Sequence, residues 1–234
     1  MHSLIGLISD AHGNGSAFDR GVSLLLEQGA EHFYFLGDAI GYVPSSAVLD
    51  SLARLGDRVQ CIRGNHEAML LGGQIDPARE RVYQLETLRS SMTQPQLDMI
   101  SSWPTLRRET VNGLTMLLVR GSPADPTYGY VYPDTDLAGF APDADFVFMG
   151  NTHHPFIREH AGTCYVNIGS CGMPRDDGRY GSVALLDEKA RSVLILRFDI
   201  TADSKHVLEQ FPAIHPSVRE VYERRRPVVT GEFL

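Results

Sequence analysis

Five apolar runs in this chain each end in a glycine beside polar residues of metal-ligand or phosphate-binding type. Leu4–Ile8 leads into Asp10-Ala11-His12-Gly13-Asn14, and 32–36 leads into Gly37-Asp38. Residues 58–62 lead into Arg63-Gly64-Asn65-His66-Glu67, and Leu114–Val119 into Arg120-Gly121. Residues 144–149 lead into Gly150-Asn151-Thr152-His153-His154. Short apolar runs bounded in this way read as buried strands. In open α/β sheets, ligands bind beyond the carboxyl ends of the strands. A glycine there permits tight turns and close backbone approach. Five such ends in one chain point to a single convergent polar site.

Helical patterns separate the runs. Residues 16–28 carry a stripe of Ala17, Val22, Leu25 and Leu26, with Ser16 or Asn14 as cap and Gly29 as stop. A second helix begins at Ser45 or Ser46, buries Val48, Leu49, Leu52 and Leu55, and ends at Gly56. Strands alternating with helices call for a mostly parallel sheet. Residues 74–103 read as two surface helices, broken at Gln94-Pro95 and Trp103-Pro104. Residues 126–133 read as loop, with Tyr128, Tyr130 and Tyr132 in alternation. Strands follow at 164–168, 182–186 and 193–198, the last two as a hairpin. One or two helices and a loose end close the chain. The expected organisation is one domain over 1–234, with a core to about residue 200 and a helical tail over 202–234.

Composition removes several classes of function. A net charge of −8 argues against broad nucleic-acid binding. It leaves phosphate substrates open, because a bound cation dominates a site locally. Three cysteines are too few for a disulfide framework. No apolar run approaches the roughly 20 residues of a membrane span, so a cytoplasmic location is expected. The C-terminal helices offer a surface for a homodimer.

Asp10 and His12 place a hard oxygen and a borderline nitrogen two residues apart, a pair that suits a divalent or trivalent metal. The set Asp10-x-His12, Gly37-Asp38, Gly64-Asn65-His66-Glu67 and Gly150-Asn151-Thr152-His153 resembles the calcineurin-like metallophosphoesterase signature. Gly41–Pro44, Gly121-Ser122-Pro123, Asn167–Ser170 and Pro174-Arg175 resemble its small prokaryotic branch, the YfcE-like and diadenosine-tetraphosphatase-like proteins. The resemblance implies a four-layer α/β/β/α sandwich and a metal-dependent phosphoesterase. The substrate implied is a phosphodiester or nucleotide-type phosphate, hydrolysed by metal-activated water. It also implies that Asp10, His12 and His153 bind a first metal and that Asp38 bridges two. Asn65 would bind the second metal, with His66 beside the scissile phosphate.

The chain departs from that signature twice. Arg120 stands where the family has an isolated histidine, and Asn151 where it has the first histidine of its last motif. Arginine is always protonated and cannot ligate. Asparagine offers only an oxygen. The first metal position is therefore intact, for manganese, iron or zinc. Arg120 is expected either to put a fixed cation in the second position and contact phosphate together with Asn65 and Asn151, or to pair with Asp38 or Glu67. A third reading fills both positions with manganese or magnesium. The rival to an enzyme is a nucleotide- or phosphate-binding protein without turnover.

Overall fold

The computed structural model describes residues 4–73 and 75–233. Its strands are β1 (Leu4–Ile8), β2 (Ala30–Phe35), β3 (Val59–Cys61), β4 (Leu106–Val111), β5 (Leu114–Val119), β6 (Phe146–Met149), β7 (Phe156–His160), β8 (Thr163–Asn167), β9 (Tyr180–Asp187), β10 (Ser192–Asp199) and β11 (Glu232–Phe233). They form two mixed sheets, ordered β11-β10-β9-β1-β2-β3 and β4-β5-β6-β8-β7. The helices are α1 (Gly15–Glu27), α2 (Ala47–Leu55), α3 (Asn65–Gly72), α4 (Pro77–Tyr83), α5 (Leu85–Arg89), α6 (Gln94–Ser102), α7 (Thr201–Gln210) and α8 (Pro216–Glu223).

The layering follows from side-chain alternation along the strands. Ile5, Leu7, Tyr34 and Leu36 point between the sheets, where they meet Met116, Leu118, Phe146, Phe148 and Val166. Ile8, Phe33 and Phe35 point the other way, onto Phe18, Leu25, Leu49, Leu88 and Val218 from the helices and Trp103 just after α6. Each such buried side chain contributes roughly 1.5–3 kcal/mol of transfer free energy. The outer face of the second sheet is covered differently. Leu117, Val119, Val147 and Tyr165 pack against Val131, Leu137 and Phe140, from the connection between β5 and β6. That connection carries no helix among the described residues.

The two sheets with flanking helices match the expected class, and several local readings need correction. The stretch 74–103 holds three helices rather than two. Helix α3 begins directly at Asn65, and strands β4 and β7 were not expected. Both are edge strands, antiparallel to their neighbours. Their charged residues (Arg107, Arg108 and Glu109; Arg158, Glu159 and His160) mask the apolar signal. Near the end of the described residues the chain is tied down, because Glu232 and Phe233 of β11 pair in parallel with Leu196 and Arg197 of β10.

The topology builds the site. β1, β2 and β3 run parallel, so their carboxyl ends share one edge. β5, β6 and β8 do the same in the second sheet. Each of the predicted motifs follows one of these ends.

Candidate metal and phosphate site

The motif loops are stitched together by backbone. Asp10 N–H donates to Gly37 O at 3.1 Å, and His12 N–H donates to Asp38 O at 3.0 Å. Cys171 N–H donates to Ser9 O at 3.0 Å. Five side chains of the site sit on left-handed backbone: Asp10 (φ 59°), His12 (49°), Asp38 (56°), Asn151 (68°) and His153 (59°). This region is uncommon for residues other than glycine, though Asn, Asp and His enter it most readily. Asp10 and His12 therefore converge through consecutive kinks. The extended period-two geometry suggested by their spacing is not what brings them together. Such strain persists where the surroundings over-determine it, and it clusters at functional sites.

Three side chains converge at the end of β1. His12 Nδ1 lies 3.2 Å from Ile40 O, and His153 Nδ1 lies 2.6 Å from Met173 O. A carbonyl oxygen only accepts, so both histidines carry their proton on Nδ1. Their Nε2 lone pairs then face each other across 3.1 Å. Asp10 Oδ1 lies 2.6 Å from His153 Nε2 and 3.5 Å from His12 Nε2. No proton is available among these three atoms, and Asp10 Oδ1 has no hydrogen-bond partner. Lone pairs gathered in this way, at residues no more than 1% exposed, repel unless a cation lies between them. Burial holds the His153 pKa down to about 4 and that of His12 below its usual value. Both imidazoles are neutral at pH 7. The donor set thus fits a metal ion, as expected for Asp10, His12 and His153. Asp38 Oδ2 lies farther off, 3.8 Å from His12 Nε2.

Arg120 fills the adjacent position. Its Nη1 donates to Asp10 Oδ2 at 2.5 Å, and its Nη2 donates to Asp38 Oδ2. Nη2 also donates to Asn151 Oδ1 at 3.3 Å, and Nε donates to Asn65 Oδ1 at 3.4 Å. The side chain is 1% exposed. Of the five N–H donors of a guanidinium, four are engaged. Three of the residues around it, Asp38, Asn65 and Asn151, are those expected at the second metal position, and the fourth, Asp10, is one expected at the first. Burial works to raise both carboxyl pKa values. At Asp10 the charge of Arg120, with His153 and His12, overcomes burial and holds the pKa well below the usual range. Ser9 Oγ donates to the same Asp10 oxygen at 2.5 Å, a support that sequence reasoning passed over although Ser9 adjoins the motif.

His66 and Glu67 take distinct positions. His66 is enclosed by the rings of His12, Tyr42 and Tyr83, with centroids 4.6–4.9 Å away. Its Nε2 lies 3.9 Å from Asp38 Oδ2, and its Nδ1 has no partner. Burial holds its pKa well below the usual value, so it is uncharged at pH 7. Glu67 is a brace and does not pair with Arg120. Its carboxylate accepts from the N–H groups of Asp38 (3.0 Å), Ala39 (2.8 Å), Ile40 (3.4 Å) and Gly64 (2.8 Å). These bonds lock the Gly37-Asp38 loop to the start of α3. Glu67→Gln turns an NH2 group toward two of those donors. We expect it to cost about 2 kcal/mol in urea unfolding, since buried unsatisfied donors cost about 1–3 kcal/mol each. A loss under about 0.5 kcal/mol, the scatter of surface substitutions, would mean the brace is dispensable.

Asn167 holds the loop carrying Asn151 and His153. Its Nδ2 donates to Gly150 O at 2.8 Å and to Thr152 Oγ1 at 3.0 Å. Gly150 has to be glycine for a steric reason. A Cβ there would lie 2.6 Å from both Arg120 Nη1 and Asp10 Oδ2.

This arrangement, on this fold, defines a class. The family model for the calcineurin-like phosphoesterase superfamily domain matches residues 4–191. The chain belongs to the calcineurin-like phosphoesterase family. Among curated proteins it is similar to MJ0912 of Methanocaldococcus jannaschii, 26% identical over 221 residues that cover 85% of this chain and 88% of that protein. It is similar also to the phosphodiesterase YfcE of Escherichia coli strain K12, 23% identical over 190 residues that cover 80% and 89%. Among solved structures, a metallophosphoesterase from Sphaerobacter thermophilus superposes with a TM-score of 0.78 at 22% identity, covering 95% of this chain and 99% of that one. That likeness is one of fold. Among the described residues, no helix is long and apolar enough to cross a membrane.

Proposed function

We propose that the protein is a metal-dependent phosphoesterase with a single metal position, acting on a phosphodiester or nucleotide-type phosphate. The observation that carries this reading is the asymmetry of the site. Asp10, His12 and His153 leave their lone pairs convergent and unpartnered, while Arg120 occupies the neighbouring position among Asp38, Asn65 and Asn151. A cation held by the first set would supply Lewis acidity to a phosphoryl oxygen. Manganese, iron and zinc all suit its ligands. Arg120 supplies a fixed positive charge beside it, as arginines do for transferring phosphoryl groups. It does so from within its ion pairs, since only one Nη1 N–H remains uncommitted. Asp38 and Asn65 hold that guanidinium in place, and Asn151 fixes it to the β6 loop. His66 holds Asp38 through its backbone N–H, which donates to Asp38 Oδ1 at 3.1 Å, and its neutral ring lies beside that carboxylate.

The rival reading is a phosphate- or nucleotide-binding protein, and the burial of the whole cluster favours it. Hydrolysis of bis-p-nitrophenyl phosphate with added manganese separates the two. Turnover is expected in the wild type. In His153→Ala it should fall by at least about a hundredfold, because losing a ligand exceeds the 10–100-fold typical of losing an outer partner. Equal rates in both proteins, or none in either across several metals and a monoester, would reject the enzyme.

A further inference from the structure

Beside the metal cluster lies a cavity of about 540 Å³, within the range of small-molecule sites. Three arginines line it, Arg79, Arg175 and Arg224, beside the His154 ring. No aspartate or glutamate lines it, in a chain with 29 acidic and 21 basic residues. None of the three arginines makes an ion pair among the described residues. Arg175 Nη2 donates to Tyr42 Oη at 2.9 Å, Arg224 Nη1 to Arg175 O at 3.5 Å, and Arg79 Nη1 approaches Met69 Sδ at 3.9 Å. Some arginines elsewhere are ion-paired, as Arg20 is with Asp203 and Arg197 with Asp176, while Arg63, Arg89, Arg108 and Arg158 donate to backbone carbonyls; what sets these three apart is that they face one hollow. Unpaired guanidiniums facing one hollow form an anion site, and their fork suits phosphate oxygens.

The cavity shares a wall with the metal cluster. Thr152 and His154 flank the ligand His153, and the carbonyl of the lining residue Met173 receives the His153 Nδ1 proton. The lining residue Tyr42 packs edge-on to the His12 ring at 4.8 Å. The cavity wall is thus formed in part by the residues that hold His12 and His153. Arg120 is sealed in its own ion pairs, so the anion-binding capacity left open on this face is that of the cavity.

We infer that the cavity binds a second, non-reacting phosphate, so that the preferred substrate is an organic diphosphate and not a simple diester. The inference rests on the phosphoesterase reading for the reacting phosphate, whereas the anion site itself does not. The test is calorimetric titration of the manganese-loaded protein with α,β-methylene-ADP and with AMP, probes that differ by one phosphate. The diphosphate is expected to bind at least tenfold more tightly. In Arg79→Ala/Arg224→Ala that gap should close. Both side chains are exposed, so the double variant keeps its fold. Equal affinities in the wild type, or a gap that survives the double substitution, would overturn the inference. Absence of bis-p-nitrophenyl phosphate turnover alongside an intact diphosphate preference would reject the hydrolase and leave the anion site standing. Turnover without the preference would reject the anion site alone.

Discussion

Arg120→Ala is expected to cost about 3–5 kcal/mol of folding stability in metal-free buffer, the range for removing one partner of a buried ion pair. The side chain is among the largest fully buried ones in the molecule. It neutralises two carboxylates, Asp10 at 0% exposure and Asp38 at 1%. Without it, two negative charges face each other in a low-dielectric interior, and the amide oxygens of Asn65 and Asn151 lose a donor. Urea unfolding reads the loss. Added manganese should recover part of it, because the vacated space is lined by hard oxygen ligands that suit that ion. Replacing all three groups together, as Arg120→Met with Asp10→Asn and Asp38→Asn, should be far less costly than Arg120→Ala, because no buried charge is left unpaired. A loss below about 1 kcal/mol for Arg120→Ala, the scale of an exposed pair, would mean that the guanidinium does not compensate the carboxylates.

Arg120→His combined with Asn151→His should raise the metal content from one ion per chain to two. Positions 120 and 151 follow β5 and β6, and the Arg120 side chain already touches Asp38, Asn65 and Asn151. Imidazoles at both places would face the same oxygens with lone pairs in place of protons. They would complete a second set of ligands beside the first. Elemental analysis after dialysis measures the ratio. A ratio of one in the double variant would show that more than these two substitutions separates this chain from a two-metal site. A ratio of two in the wild type would remove the single-metal reading.

Much of this site was legible because its elements are local. An apolar run ending at a glycine and a carboxylate says strand, turn and ligand within about ten residues. Asp10, His12, Asp38, Asn65, His66, Arg120, Asn151 and His153 could all be picked out in that way, and the strand ends do bring them together. Asn14 as the cap of α1 was legible for the same reason, and its Oδ1 accepts from Ala17 N at 3.2 Å. Edge strands β4 and β7 were not. A strand with one solvated face and many charges has no continuous apolar signature. Helix α3 was hidden because its first turn is Asn65-His66-Glu67, residues whose polar character reads as loop. Glu67 reaching back to the backbone of Gly64 and Asp38 makes that turn a helix start.

The sequence by itself determined the class of fold, the ligand-bearing loops and the identity of the two departures at Arg120 and Asn151. It left open whether Arg120 meets phosphate or carboxylate, because that depends on which groups lie within 3 Å of a guanidinium at the end of a long side chain. Only the tertiary structure shows the carboxylate contacts, by bringing Asp10 from the end of β1 and Asp38 from the end of β2 onto the same cation. The cavity of Arg79, Arg175 and Arg224 has the same origin. Those residues lie on α4, after β8 and at the end of α8, and no periodicity links them. Their charges act together because packing places them around one hollow, and the field there is set by distance through space and not along the chain.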